Sequence, residues 1–570
     1  VFQNENVPIT LEAAAAPIGA ALITPAVKGP VGIPTTVTTY SDYKTRFGST
    51  LVSGGVEYAY FGNISAQNYF KQGGANLTVI RVVSGSTSDF DGAVSTGIVS
   101  GSGNGDGNAF TLKTISQGAN QNSISTETTG GALPSGSSDN LRWEISNTDY
   151  AKGTFTVTIR RGNDSPTSKV VLETFRGVNL DPNSENYIER RIGNKYQTIT
   201  GTGDNAYIQD NGNFPAQSNY VYVSAVSQST PDFLNASGVR SKSSYTASLP
   251  QNSHGAFYNA TGNLFGASDG ALKLGKDITA DNMQGLDKSR YTDVISLLKD
   301  KDLYYFNTIS FPGFIGNASN EAKAQEIIDM AEERGDCLAV LDVNLYGDDI
   351  STVTTAAEAF DSSYAASYYP WVLLNDSQTG AATWAPPSTI VPSVYIFNDE
   401  NAGAWFAPAG SRRGSIPSAI SLQRALPKAD RDTLYDGKVN PIVNFPNTGV
   451  AIYGQKTLQA AASATDRVNV RRLLLNLKNF IGTVAQGLVF EPNTLATRNS
   501  FLSVVVPYLE LVQQRQGLYA FKVTMDDTNN GPDVIDRNEL RGAIYIQPVK
   551  AAEFVILDFN VLPTGAEFPG

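Results

Sequence analysis

The chain has 570 residues, 41% of them hydrophobic and 17% charged, with a formal net charge of -12, one cysteine and one histidine. That length leaves room for roughly four domains of about 150 residues, and the composition excludes disorder over the whole chain. The acidic balance and the lack of a dense Lys/Arg run exclude nucleic acid as the main partner, while one cysteine and one histidine exclude a disulfide framework and zinc sites built from His/Cys clusters.

No stretch approaches the roughly 18 apolar residues needed to span a bilayer, and no basic-then-apolar leader opens the sequence. Membrane insertion is not expected, and folding in the cytoplasm is.

In chain order, the alternating segment Val7-Pro8-Ile9-Thr10-Leu11-Glu12 suits an edge strand, yet it precedes the first compact segment and so reads as an arm. A strand is expected over Ala20–Ile23, a turn at Lys28-Gly29-Pro30, a second strand over Thr35–Val37, and a helix N-cap at Ser41. A helix over Glu57–Phe70, stopped by Gly73-Gly74, then leads into the strand Leu77–Val83. Residues 86–300 turn rich in Gly, Ser, Thr and Asn with short alternating runs such as Thr154–Ile159 and Val170–Phe175, followed by a turn and possible helix start at Asp181-Pro182 to Ser184. This is the pattern of inserted β-rich material. The strand, helix, strand series Leu303–Ile309, Glu321–Arg334 and Cys337–Val343 is spaced like a parallel βαβ unit, and Cys337 in its apolar run reads as a small buried hydrophobe. The clearest amphipathic helix runs from Asp466 to Phe490, with Val470, Leu473, Leu474, Leu477, Ile481, Val484 and Leu488 on one stripe and Arg467, Arg471, Arg472 and Lys478 as its cations. Tyr519–Met525, Gly542–Gln547 and Glu553–Asn560 close the chain as three strands.

Little here supports catalysis. His254 lies in a polar turn, with no nucleophile elbow or His-paired cysteine in view. The Gly-rich run Gly101–Asn108 lacks the Lys-Ser/Thr ending of a phosphate loop and the closing Glu of a Ca²⁺ loop, so it reads as a surface turn. Tyr369, Trp371 and Trp405 sit beside prolines or glycines and are read as packing aromatics rather than a sugar platform.

Ordered stretches resemble the tail sheath proteins of contractile bacteriophages: FKQGGANLTVIRVV from Phe70, ERGDCLAVLD from Glu333, YYPWV from Tyr368, AWFAPAG from Ala404, GVAIYGQKTL from Gly449, VNVRRLLLNLKNFI from Val468 and VFEPN from Val489. The sequence departs from the family at Tyr453 and Gln455-Lys456, where Trp and Ala-Arg are more usual. The resemblance implies a multidomain α/β fold with a subtilisin-like core, inserted β-rich domains and extended terminal arms. It also implies a structural, non-enzymatic subunit without cofactor or metal, contracting in the virion tail after assembly in the host cytoplasm. Its implied partners are further copies of itself in stacked hexameric rings, a tail tube protein, and baseplate and tail terminator proteins.

On this basis the expected division is an arm over 1–19, the N-terminal part of the core over 20–85, inserted domains over 86–300, the α/β core over 301–460, a C-terminal domain over 461–552 and a terminal strand over 553–570. The intersubunit arms are assigned to Val7, Ile9 and Leu11 and to Phe554, Val555, Ile556 and Leu557, the latter alternatively forming a core strand of their own subunit. Donated strands suit this role because each main-chain hydrogen bond adds about 0.5–1.5 kcal/mol net and each buried large aliphatic about 1.5–3 kcal/mol. Arg471, Arg472 and Lys478 are candidate tube contacts, with a solvated helix face or an internal ion pair as the alternative. The competing function classes are the sheath of a phage-derived injection particle, a subtilisin-like hydrolase and a β-rich surface adhesin.

Overall fold

The computed structural model describes residues 19–553, apart from 54–55, 84–95, 101–107, 119–126, 202–204, 258–271 and positions 135, 287, 302 and 447. The arm residues Val7, Ile9 and Leu11, the run Phe554–Leu557 and most of the Gly101–Asn108 loop lie outside the described residues.

The centre of the molecule is an eight-stranded sheet. Its strands in chain order are β1 (Gly19–Thr24), β2 (Thr35–Val37), β3 (Asn76–Arg81), β4 (Thr308–Ile315), β5 (Leu338–Asp342), β6 (Ala365–Tyr369), β7 (Val439–Phe445) and β8 (Gly449–Ile452). They are arranged β2-β3-β1-β4-β5-β6-β7-β8. The six inner strands are parallel, and antiparallel β2 and β8 close the edges. Every residue of β1, β4, β5 and β6 is buried, as expected of parallel strands covered on both faces. Helices α1 (Tyr40–Phe47), α2 (Phe61–Lys71), α3 (Glu321–Arg334) and α4 (Val391–Asn401) provide much of that cover.

Several boundaries differ from the sequence expectation, each for a physical reason. The cap of α1 is Thr39, whose hydroxyl accepts from Asp42 N–H, and Ser41 lies inside the helix. Residues Val56–Tyr58 form a hairpin strand with Leu51–Ser53, so α2 begins only at Phe61. The first N–H of α2 is capped from a distance: Phe61 N–H donates to Gln284 Oε1 at 2.9 Å. Strand β4 begins at Thr308, and Leu303, placed in it by the sequence reading, is 66% exposed. The strand then runs through Pro312-Gly313, where the register shifts between Ser310 and Ile315 and Gly313 adopts φ 90°. A Cβ at Gly313 would meet the Gln284 amide at 2.4 Å, so Gln284 serves both the bulge and the start of α2.

The inserted region forms antiparallel sheets over its own apolar cluster, with Phe110, Trp143, Phe155, Val157 and Ile188 among its members. The turn expected at Asp181–Ser184 is present, and its short helix starts at Ile188. One side carries a buried ion network in which Arg142 and Arg160 both meet Asp164, with Glu127 and Glu144 completing the charges. Residues Met283, Leu286, Tyr291, Val294, Ile295 and Leu298 pack instead in the core cluster beside α3.

The aromatics flagged for packing do pack. Tyr369 and Trp371 are fully buried, and Trp371 Nε1–H donates to Asn344 O at 3.2 Å. Cys337 is buried beneath the sheet, where burial pushes its thiol up to about 12.

At the C-terminal end of β5, Asp342 is fully buried and accepts from both the backbone N–H and the hydroxyl of Ser388. Burial nevertheless pushes its pKa from the ordinary 3.8 up to about 7, the Ser388 bonds opposing the rise. The folded state therefore holds this proton more tightly than the unfolded chain, so the contribution is full below about pH 4 and is lost as pH rises through about 7. Asp342→Asn keeps the shape and removes the charge. We expect equal stability near pH 4 and a gain on the order of 2–4 kcal/mol at pH 8, read by urea unfolding across that range. Parallel pH profiles for the two proteins would contradict the assignment.

Candidate assembly interface

The last part of the described chain is built on two long helices, α5 (Val468–Gln486) and α6 (Leu495–Gln514), and an antiparallel hairpin of β9 (Leu518–Thr524) and β10 (Ala543–Pro548). The amphipathic stripe read from the sequence is largely real: Leu473, Leu477, Val484 and Leu488 are buried in one cluster with Phe501, Val505 and Leu509 of α6. Phe480 and Tyr508 stack at 3.7 Å between ring centres, and Tyr508 Oη–H donates to Asn476 Oδ1 at 2.6 Å. Phe521, Val523, Ile544 and Ile546 lay the inner face of the hairpin on this cluster.

Helix α5 is buried on a second side as well. Val468 and Leu475 belong to the core cluster with Trp371 and Tyr395. Of the two readings the sequence left open for Arg471 and Arg472, tube contacts or internal partners, the structure shows internal partners for both. Arg472 pairs with Asp399 of α4 at 2.5 Å, with side chains only 3% and 1% exposed, and its guanidinium stacks 4.3 Å over Tyr395. Burial holds Asp399 above the ordinary carboxylate pKa although the Arg472 cation pulls it down. Arg471 bonds Ser363 Oγ and stacks 4.1 Å over Tyr364, and burial lowers its pKa. A cation removed from water needs a fixed partner, and helical periodicity does not reveal which side of a basic stripe will find one. Lys478 alone of the three is exposed, its ammonium 3.4 Å from Tyr364 Oη.

The two expected closing strands become β9 and β10, while Glu553, expected to begin a third, is not in a strand. Its carboxylate accepts two bonds from Arg467, at 2.7 and 3.1 Å, and one from Gln455 Nε2 at 3.1 Å. This clamp fixes the chain at the point where residues 554–570 continue. It was not foreseen, because it joins residues 86 and 98 positions apart and no local pattern marks it. Beside it lies a cleft of about 490 Å³ lined by Gln455, Ser463, Asp466, Asn469 and Lys550. The amide nitrogens of Gln455 and Asn469 are held by Glu553 and by Trp405 O, so both side-chain oxygens are turned away from those partners. Both oxygens are buried and accept no hydrogen bond from the described residues. Among the described residues the hairpin also has no strand beyond either β9 or β10. Among the described residues the site therefore combines a hairpin with no further strand on either edge, a clamped chain exit and a polar cleft.

Residues 461–561 match the family model described as the phage tail sheath C-terminal domain. The tail sheath protein of Vibrio phage KVP40 is 38% identical over 216 residues, 38% of this chain and 31% of that protein. The tail sheath protein of Enterobacteria phage T4 is 34% identical over 223 residues, 39% of this chain and 33% of that protein. The matches thus span about a third of these two relatives' own length. In fold, the chain is similar to the crystal structure of a sheath tail protein from Listeria innocua, with TM-score 0.54, 12% identity and coverage of 94% of this chain and 96% of that one.

Removing one member of the pair that ties α5 to α4 leaves the other charge buried and alone. Asp399→Ala is expected to destabilise the folded chain by about 3–5 kcal/mol, and Asp399→Ala combined with Arg472→Met by clearly less. Urea unfolding of the three proteins measures both; equal losses for the single and double variants would show that the pair is not the tie.

Proposed function

We propose that this chain, a relative of the phage tail sheath proteins that carries their C-terminal domain, is a structural subunit that polymerises into a contractile sheath around a tail tube and drives the tube through a host envelope. The observation that carries the proposal is the β9–β10 hairpin, unpaired at both edges among the described residues, beside the Glu553 clamp on the segment that matches the family model. Neighbouring copies supply the missing strands: Val7, Ile9 and Leu11 from one end, and Phe554, Val555, Ile556 and Leu557 from the other. The sheet of six parallel strands with helices on both faces supports the subtilisin-like description of the core, here a scaffold rather than a protease.

Contraction needs a lattice that shortens without dissolving. Donated strands are strong and stay in place, while exposed ion pairs between subunit faces, at about 0–1 kcal/mol each, exchange. Stacked hexameric rings joined in this way slide past one another and re-pair. Baseplate and terminator proteins would cap the two ends of the stack. Lys478 is the basic residue of α5 available to carboxylates of the tube.

Electron microscopy of the purified chain tests the proposal. The full chain is expected to form long striated tubes, and deletion of Val1–Ala13 to leave folded particles that do not assemble; tubes of normal length after that deletion would remove the arm from the account. Lys478→Glu is expected to leave tubes intact and to weaken co-sedimentation with tube protein about tenfold, and unchanged co-sedimentation would exclude Lys478 as a tube contact.

A further inference from the structure

The turn between α5 and α6 presents an aromatic knob. Phe490 is fully exposed and holds φ 73°, a left-handed backbone that favours glycine, and Glu491 N–H donating to Leu488 O closes the turn around it. Val489 and Leu495 beside it are 59% and 62% exposed. The turn is flanked by an acidic loop over residues 526–541, held against it by Asn493 bonds to Asn530 and to Glu539 O and by the Arg498–Asp527 pair. Glu491, Asp533 and Asp536 are exposed there and have no cationic partner among the described residues. A bulky aromatic in a strained turn, fully in water and next to an acidic loop, packs against nothing among the described residues.

The other end of the same helical pair carries the complementary chemistry. Trp405 receives Asn469 Nδ2–H at the start of α5 and donates from Nε1 to Arg515 O just past the end of α6. Next to it, Arg413 stacks 4.8 Å over the half-exposed ring of Phe406, and Arg412 stands beside Arg413. Neither arginine has a carboxylate partner among the described residues, and burial together with repulsion from Arg412 lowers the pKa of Arg413. Helix α5, which runs between the two ends, is about 28 Å long.

We infer that the acidic Phe490 knob of one copy docks on the Phe406, Arg412 and Arg413 patch of a second copy. Acid meets base and ring meets ring, with no symmetry between the two surfaces. A contact of this heterologous kind propagates head to tail rather than stopping at a dimer. The inference rests on the polymerising reading and adds to it a contact made by the two ends of the helical pair, independent of any donated strand.

Cysteine cross-linking tests it in the full chain, because Cys337 is fully buried and does not compete. Phe490→Cys and Arg412→Cys lie toward opposite ends of α5 and do not close within one chain, since a disulfide needs Cα atoms within about 7 Å. Mild oxidation of the assembled protein is expected to give a ladder of multimers on non-reducing gels, with each single variant stopping at dimers or below. Tubes that assemble normally without a ladder would overturn the contact and leave the polymerising reading standing; a protein that never assembles would overturn both. As an independent readout, Arg412→Glu with Arg413→Glu is expected to raise the concentration needed for assembly at least tenfold, and added Asp533→Lys and Asp536→Lys to recover most of it. No change on charge reversal would overturn the contact as well.

Discussion

A buried arginine and aspartate, Arg472 and Asp399, join α5 to α4 on the central sheet, and the C-terminal helices that carry the β9–β10 hairpin and the Phe490 turn are seated through that junction. A pair of this kind adds little net stability, since each ion gives up its hydration, but it tolerates only one geometry. The apolar packing on both sides of α5 enforces the same geometry: Val468 and Leu475 lie in the core cluster, and Leu473, Leu477 and Phe480 in the C-terminal one. A rotation of the C-terminal helices against the sheet would expose apolar surface on one side and leave a buried charge unpaired on the other. The C-terminal helices are therefore seated on the described core by apolar packing on two sides and by one buried pair.

The histidine, the cysteine and the buried Asp342 carboxylate lie in three different settings. The lone histidine, His254, is on the inserted unit with Nδ1 2.5 Å from Glu127 Oε2, and Cys337 is sealed in the core with its thiol pKa raised. The Asp342–Ser388 pair at the end of β5 is closed from solvent, and its carboxylate is desolvated rather than poised beside an imidazole. A parallel sheet with polar groups at its strand ends is a common framework for enzymes, and function has to be argued from such groups one at a time.

What the sequence disclosed followed from locality. Apolar runs such as Cys337–Leu341 and the periodic face of α3 translate directly into strand and helix because one element's burial decides them. The start of α2 escaped that logic, its cap being a glutamine 223 residues away, and β4 escaped it because Pro312-Gly313 reads as a break until the bulge and Gln284 are seen together. The same limit applied to the site. The amphipathic face of α5 was legible, but the burial of Arg471 and Arg472 depends on Ser363, Tyr364 and Asp399, and the Glu553 clamp on Arg467 and Gln455. Side chains whose partners lie far along the chain carry no local signature.

We propose that this chain associates with itself through surfaces displayed on its C-terminal helices and hairpin. Sedimentation velocity of the full chain across a hundredfold range of concentration tests that claim most directly. The account predicts a boundary that moves from monomer to large, heterogeneous assemblies as concentration rises. A single monomeric boundary at every concentration would contradict it.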